Sequence, residues 1–170
     1  APDQFYPLHA FVHEDLRHLR LPLWDPYVLS GHPIIGDVLA QIFYPVNWLY
    51  VVLWPQAPLP YRIMEIVELL HFFLAGIFMY WLARELVASE MAALLAGILF
   101  MSSGAMVAHT QHVPLVSSVA WYPLVFLMAR RALLQRKFLY VVCAGALFGI
   151  QILAGHWQHS VYLGLFLFLY

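Results

Sequence analysis

Four histidines occur as two pairs with the same spacing, and imidazole side chains can hold protons, phosphates or metals. The pairs and the glutamines between them are His109, Gln111, His112, His156, Gln158 and His159. A spacing of three residues places both rings on one side of a helical turn. Imidazole titrates near neutral pH and is a common ligand of divalent metals. The pairs therefore predict a polar cleft for a sugar or a phosphate. A divalent metal site and a plain structural role are the alternatives, although the sequence has no His-Glu-x-x-His or Asp-x-Asp stretch to support a metal.

A second polar series runs into a hydrophobic segment. Arg62, Glu65, Glu68 and His71 follow one another at three-residue steps, a spacing that predicts a stripe along one side of a helix. At about 1.5 Å per residue, His71 would lie well inside a membrane. Ionisable side chains at that depth are costly and usually face a protein interior or a wet cavity. We expect an intramembrane hydrogen-bond network, with a direct substrate role as the alternative.

The composition decides what kind of protein must position these groups. Of the 170 residues, 64% are hydrophobic and only 10% are charged, whereas soluble domains carry about 25% charged residues. The sequence therefore predicts a membrane protein. The formal net charge of −1 gives no basic field of the kind that attracts nucleic acid. The single cysteine, Cys143, excludes an internal disulfide.

Apolar stretches of about 20 residues predict spanning helices, so we expect an all-α polytopic fold. The predicted helices cover residues 66–83, 91–107, 113–129, 138–154 and 161–170, the last of them cut short by the end of the sequence. Pro123 predicts a kink in the third. Because the chain begins without a leader and ends inside an apolar run, we interpret it as a fragment of a longer protein.

The positions of the cations predict the orientation in the cell membrane. The loop after the third span carries Arg130, Arg131, Arg136 and Lys137, and short loops rich in Lys and Arg are cytoplasmic. Alternation then places residues 1–60 outside the cytoplasm, together with both histidine pairs. The domain organisation that follows is an extracytoplasmic segment, 1–60, and a membrane region, 61–170.

The extracytoplasmic segment has features of its own. Apolar residues recur at helical spacing from Leu8 to Leu19, whereas His9 and His13 fall on the polar side, a pattern typical of a helix on the membrane surface. A proline-rich stretch, 21–33, predicts an ordered loop with turns. Residues 41–54 are apolar but too few to span, so we expect a re-entrant or interfacial segment whose aromatic residues anchor it in the interface.

Five segments occur in an order that carries a family resemblance. They read PDQFYPLHAF, LPLWDPYVLSGHP, QIFYPVNWLY, FMSSGAMVAHTQHVPLVSSVAWYPLVFLMARRAL and LAGHWQHSVY. In this order they resemble the YfhO-like family of bacterial multi-pass membrane proteins, which belongs to the GT-C superfamily of glycosyltransferases. The resemblance covers nearly the whole chain. Asp25 and Trp157 depart from the family pattern, where Asn and Pro are expected.

This resemblance implies a function and a catalytic residue. GT-C enzymes take a sugar from a polyprenyl-phosphate carrier on the outer face and transfer it to an acceptor, here one in the cell envelope. Their base is an acidic residue in the first outer loop, a place that Asp3 matches; capping of the first helix is the alternative role for Asp3. The leaving phosphate needs cations or hydrogen-bond donors. On the outer side, the fixed cations are Arg17, Arg20 and Arg62.

Two other classes of protein compete with the transferase. A transporter or proton-coupled carrier would use Glu65, Glu68 and His71 as an intramembrane relay, but the sequence contains no convincing repeat of the kind such carriers have. A haem or metal protein would use the histidine pairs. Bis-histidine haem ligation needs rings that face each other at membrane depth, whereas these pairs lie at predicted helix ends.

Overall fold

The computed structural model describes the backbone of residues 2–28 and 30–170, and the side chains of residues 5–28 and 30–170. Within these residues the fold is all-α. The helices are α1 (Pro2–Arg17), α2 (Trp48–Leu53), α3 (Tyr61–Leu86), α4 (Glu90–Met101), α5 (Gly104–Val107), α6 (Val113–Ala120), α7 (Tyr122–Gln135), α8 (Phe138–Leu153) and α9 (Trp157–Leu169). Three short 3-10 helices, Ile34–Gly36, Val38–Ala40 and Pro45–Asn47, precede α2.

Three helical stretches are long and apolar enough to cross a membrane, as a polytopic membrane protein requires. They are Tyr61–Leu86, Glu90–Val107 and Val113–Gln135. These three stretches contain the first three predicted spans, 66–83, 91–107 and 113–129. Helices α8 and α9 overlap the last two predicted spans, 138–154 and 161–170. The predicted spans are shorter because amphipathic turns extend the helices beyond their apolar centres.

The third span is interrupted, as Pro123 predicts. Helix α6 ends at Ala120 and α7 begins at Tyr122, with Trp121 between them. Pro123 lies in the first turn of α7, where a missing backbone N–H costs least. The second span is also broken, at Ser102 and Ser103 between α4 and α5. There the hydroxyl of Ser102 donates to the carbonyl of Ile98 at 2.6 Å.

The helices alternate in direction, so the bundle has two chemically different ends. At one end Glu85 of α3 accepts a hydrogen bond from Arg131 of α7 and lies 3.9 Å from Arg130. We call this the arginine end, defined by Arg84, Glu85, Arg130 and Arg131. The opposite end, called the histidine end, carries His109, His112, His156 and His159. The residues of the two basic loops therefore lie at the same end of the bundle.

Helices α3 and α4 approach most closely where each has a glycine. A Cβ atom on Gly97 would lie 2.6 Å from the carbonyl oxygen of Gly76, which is closer than atoms in contact can come. Only a hydrogen side chain permits this approach of two backbones. The pair therefore fixes the distance between the first two spanning helices.

Helix α1 forms as predicted, and Val12 and Leu16 of its predicted apolar side are buried, but the buried surface also extends over the predicted polar side. The buried side chains of α1 are Phe5, His9, Val12, His13 and Leu16. His9 and His13, which we expected on the polar side, are only 1% exposed, whereas Leu19 lies beyond the helix and is 87% exposed. The reason is that α1 packs against α2 and the second 3-10 helix, which cover a side of the helix that a membrane surface would leave wet.

The segment between α1 and α3 packs onto the helical bundle. In the predicted loop, Asp25 and His32 exchange two backbone hydrogen bonds of 2.9 Å. Residues 41–54, expected to be too short to span, form a 3-10 helix and the short α2. The boundary predicted near residue 60 coincides with the start of α3 at Tyr61.

Candidate active site

A cavity of 240 Å³ opens at the histidine end between α1, α3 and the turn before α6. Its lining includes Phe5, Tyr6, Glu65, Glu68, Thr110 and Gln111. Helix α1 contributes its first turns, α3 contributes positions one turn apart, and the 110–113 turn closes the third side. Three of the residues that the sequence analysis selected, Glu65, Glu68 and Gln111, therefore meet in one cavity.

Two carboxylates give this cavity its acidic character. Glu65 is exposed and Glu68 is partly buried, and within the described residues Oε1 of Glu68 is inaccessible to solvent and has no hydrogen-bond partner. A buried carboxylate oxygen without a donor loses its hydration and gains nothing in return. Glu68 is therefore ready to accept a hydrogen bond from a hydroxyl group that enters the cavity.

Asp3, the predicted base, lies in the first turn of α1, but its side chain is outside the described residues. Its near neighbours in sequence, Phe5 and Tyr6, line the cavity. The hydroxyl of Tyr6 donates to the carbonyl of Leu59 at 2.7 Å, which ties this turn to the segment leading into α3. The first turn of α1 is thus held at the edge of the cavity.

The two histidine pairs, 44 or more residues apart in the sequence, come together at the same end of the bundle. Nδ1 of His156 lies 2.8 Å from Nδ1 of His159, so one ring donates and the other accepts. His156 also interacts electrostatically with His112 and His109; burial above all, and then these two rings, lower the pKa of His156. His159 likewise interacts with His109.

The histidines border the cavity through one aromatic contact. The rings of Phe5 and His112 meet edge to face at a centroid distance of 6.5 Å, and Phe5 also lines the cavity. Nδ1 of His109 donates to the carbonyl of Ala105 at 2.9 Å. Its Nε2 can therefore donate to an anion only when the ring is protonated. Gln158 turns to Tyr162, to which its amide donates at 2.6 Å.

These histidines are not arranged as a metal centre. Among residues 2–28 and 30–170, no three His, Cys, Asp or Glu side chains are grouped so that they could hold a metal ion. The short Nδ1–Nδ1 contact between His156 and His159 explains part of this, because the two nitrogens that would face a metal instead face each other. Hydrogen bonding is the chemistry that this arrangement supports.

The predicted arginines are not gathered around the cavity. Arg17 lies fourteen residues after Asp3 on α1, about 21 Å along the helix axis at about 1.5 Å per residue. There it binds Glu14 through two hydrogen bonds of 2.8 and 2.6 Å, which lower the pKa of Glu14. Arg20 lies 3.6 Å from Asp15. Of the three, Arg62 lies closest in sequence to the cavity, exposed in the first turn of α3.

His71, predicted to continue the stripe of Glu65 and Glu68, belongs to a different site. Its Nδ1 lies 2.7 Å from the carbonyl of Val67, which can only accept, so Nδ1 carries the hydrogen. Nε2 of His71 then accepts from the hydroxyl of Tyr44 at 2.7 Å. That hydroxyl in turn accepts from Nε1 of Trp121 at 2.8 Å. The three side chains join the segment that precedes α2 to α3 and to the α6–α7 junction.

His71 thus takes part in a buried hydrogen-bond network, as expected, but the sequence did not indicate its partners Tyr44 and Trp121, and it did not indicate a second network nearby. Gln41 donates its amide to the carbonyl of Ala154, and Asn47 donates to Oε1 of Gln41 at 3.2 Å. The signal in the sequence was the placing of polar Gln41 and Asn47 inside an apolar stretch that is too short to span. Buried polar groups in such a stretch must find partners elsewhere in the fold.

Comparison with known proteins adds no identification, because no protein-family model, characterised protein or solved structure matches this chain. The functional argument therefore depends on the geometry of the histidine end.

Proposed function

We propose that the chain belongs to an integral-membrane glycosyltransferase of the GT-C type, which transfers a sugar from a polyprenyl-phosphate carrier to a cell-envelope acceptor. The protein is then a multi-pass protein of the cell membrane, with residues 1–60 outside the cytoplasm. Asp3 is the general base in this proposal. The lipid bilayer supplies the carrier.

One observation carries the proposal: the first turn of α1, an acidic cavity and four histidines lie together at the end of the bundle opposite to the arginine end. The arrangement places hydrogen-bond acceptors, the carboxylates, next to hydrogen-bond donors, the imidazoles. Carboxylates of Glu65 and Glu68 can accept hydrogen bonds from sugar or acceptor hydroxyls. Imidazoles can donate hydrogen bonds to a phosphate, which a cavity with only carboxylates would repel.

The chemistry needs few groups. The acceptor hydroxyl attacks the anomeric carbon of the sugar while its proton passes to Asp3. The bond from that carbon to the phosphate oxygen breaks, and the phosphate leaves with the electron pair. Because phosphate is a good leaving group as an anion, a base is needed but an acid is not. His109, once protonated, can donate through Nε2 to the departing anion, since its Nδ1 is held by Ala105.

The test is the substitution Asp3→Asn in the full-length protein, assayed with a polyprenyl-phosphate sugar and a cell-envelope acceptor. Loss of a positioned base should reduce the transfer rate by about 10²–10⁴-fold. Asp15→Asn is the matched control, because Asp15 lies on the same helix near its other end, beside Arg20, and should leave the rate unchanged. Normal transfer by Asp3→Asn would remove Asp3 from the mechanism.

The transporter alternative has one observation in its favour, the unpartnered oxygen of Glu68 at the cavity. Its relay would have to pass through His71, whose Nδ1 donates to the carbonyl of Val67, and a backbone carbonyl cannot pass a proton onward. Glu68→Gln separates the two functions. If Glu68→Gln abolishes activity while Asp3→Asn does not, the carrier hypothesis replaces the transferase.

A further inference from the structure

A second cavity, of 530 Å³, lies at the arginine end between α3 and α7. Its lining includes Tyr80, Trp81, Arg84, Glu85, Leu127 and Arg131. One part of the wall is therefore cationic, another part is aromatic, and the rest is aliphatic. We propose that this cavity binds the phosphate headgroup of an anionic phospholipid.

The charge balance of this end favours an anion. The single carboxylate of Glu85 serves two guanidinium groups, those of Arg130 and Arg131, so the trio carries a net charge of +1. Within the described residues, Nε of Arg130 is buried and has no acceptor. Arg136 and Lys137 follow in the next turn and are exposed. A phosphate therefore meets more positive than negative charge here.

Arg84 is the group that a ligand can recruit most easily. Its partner is Glu90 at 2.8 Å, but the Glu90 side chain is 77% exposed, and such exposed pairs contribute little because water screens them. A guanidinium binds phosphate oxygens in a fork geometry that strengthens the contact. Arg84 can therefore exchange Glu90 for a phosphate at small cost.

The aromatic part of the wall points to a lipid as the source of the phosphate. Trp81 is 47% exposed, and it lies one turn from the end of a helix that can span a membrane. Trp and Tyr prefer this level of a bilayer, where acyl chains meet headgroups. Basic pockets between spanning helices at this level bind anionic headgroups. Leu124, a partly exposed aliphatic residue of the lining, suits the first methylenes of the acyl chains.

The experiment compares lipids with a soluble anion on the full-length protein in neutral detergent. Phosphatidylglycerol should be retained in native mass spectrometry and should raise the midpoint of thermal unfolding by about 5 °C. Phosphatidylcholine and inorganic phosphate should do neither. Stabilisation by inorganic phosphate as large as that by phosphatidylglycerol would overturn the lipid assignment, and so would equal retention of phosphatidylcholine.

Substitutions of single arginines test whether phosphatidylglycerol binds in this cavity. Arg84→Gln and Arg131→Gln should each weaken phosphatidylglycerol binding about tenfold, the effect of losing one charged hydrogen bond. Arg20→Gln is the control, because Arg20 is an exposed arginine on the segment that follows α1. Arg131→Gln also breaks the pair with Glu85, but Arg84→Gln breaks only the exposed pair with Glu90. Wild-type binding by Arg84→Gln would overturn the proposal.

Discussion

The hydroxyl of Tyr44 donates to Nε2 of His71 over 2.7 Å, and the two rings stack with centroids 5.7 Å apart. His71 is ten residues into α3, about 15 Å along the axis from its start. Burial raises the pKa of Tyr44, so its hydroxyl stays a neutral donor. The segment that precedes α2 is thus attached to the bundle by the hydrogen bond from the phenol of Tyr44 to the buried imidazole of His71.

Tyr44→Phe should destabilise the protein by about 1–3 kcal/mol, because it leaves Nε2 of His71 and Nε1 of Trp121 without a partner in a buried site. Unfolding by heat or denaturant in detergent measures this change. Tyr27→Phe is the control, since Tyr27 is 84% exposed, and it should change stability by less than about 0.5 kcal/mol. Equal stability of the two variants would mean that the network contributes nothing.

His9 should make the protein less stable in mild acid. Burial lowers the pKa of His9 to about 4 from an ordinary value of 6.5, and both ring nitrogens lack a hydrogen-bond partner within the described residues. Between pH 6.5 and about 4 the unfolded chain therefore binds a proton that the folded chain does not. Stability falls as the pH falls through this window, by up to about 3 kcal/mol below pH 4, and is unaffected above pH 7.

The measurement compares the pH dependence of unfolding in wild type and His9→Phe between pH 7.5 and 5. The phenyl ring preserves the edge-to-face contact with Tyr50, at 5.7 Å between centroids. The variant should lose part of the acid sensitivity, whereas His18→Gln, which changes a half-exposed histidine, should retain it. An identical pH profile for His9→Phe and wild type contradicts the prediction.

Gly97→Ala should separate α3 from α4. The new methyl group would meet the carbonyl of Gly76 at 2.6 Å, and relief of such a clash costs about 1–3 kcal/mol. Gly145→Ala in α8 is the matched control, because no atom lies within 4 Å of the position that its new methyl group would occupy. There the better helix propensity of alanine should stabilise by about 0.5–1 kcal/mol. Thermal unfolding of both variants should give shifts of opposite sign.

Cysteine labelling in intact cells tests the orientation in the membrane. Cys143 is first replaced by serine, and then Leu133→Cys or Gln111→Cys introduces one thiol at an exposed position at either end of the bundle. A membrane-impermeant reagent should label position 111 in intact cells and position 133 only after lysis. The reverse pattern would place the histidine end in the cytoplasm and remove the basis for an extracytoplasmic enzyme.

The sequence predicts the spans well because each depends on a local property. An apolar run of sufficient length predicts a helix, and the proline at position 123 predicts the break in it, without reference to the rest of the chain. The end of the helix is predicted less well, because α7 continues to Gln135, past Arg130 and Arg131. Alternation of the spans predicts that the two basic loops lie on one side, and Glu85 and Arg131 of these two regions are in contact.

Which residues pack against or hydrogen-bond to one another depends on the whole fold, so the sequence predicts these partners less well than it predicts the spans. His9 and His13 look like solvent-facing residues of an amphipathic helix until α2 and its neighbours cover them. Tyr44, interpreted as an interfacial aromatic, owes its role to His71 and Trp121, which are 27 and 77 residues away. For the candidate site, the periodicity identifies Glu65, Glu68 and the histidines, but it cannot reveal that Arg17 lies too far along α1 to join them.

The amide of Gln41 donates to a carbonyl 113 residues later in the chain, that of Ala154. The backbone of Gly155, with a φ of +87°, passes so close to Val38 that any larger side chain would collide with its carbonyl. The ribosome synthesises Val38 and Gln41 long before it synthesises Ala154 and Gly155. The segment around residues 38–47 therefore cannot make this contact until helices α2 to α8 have been synthesised and the turn before α9 has followed them.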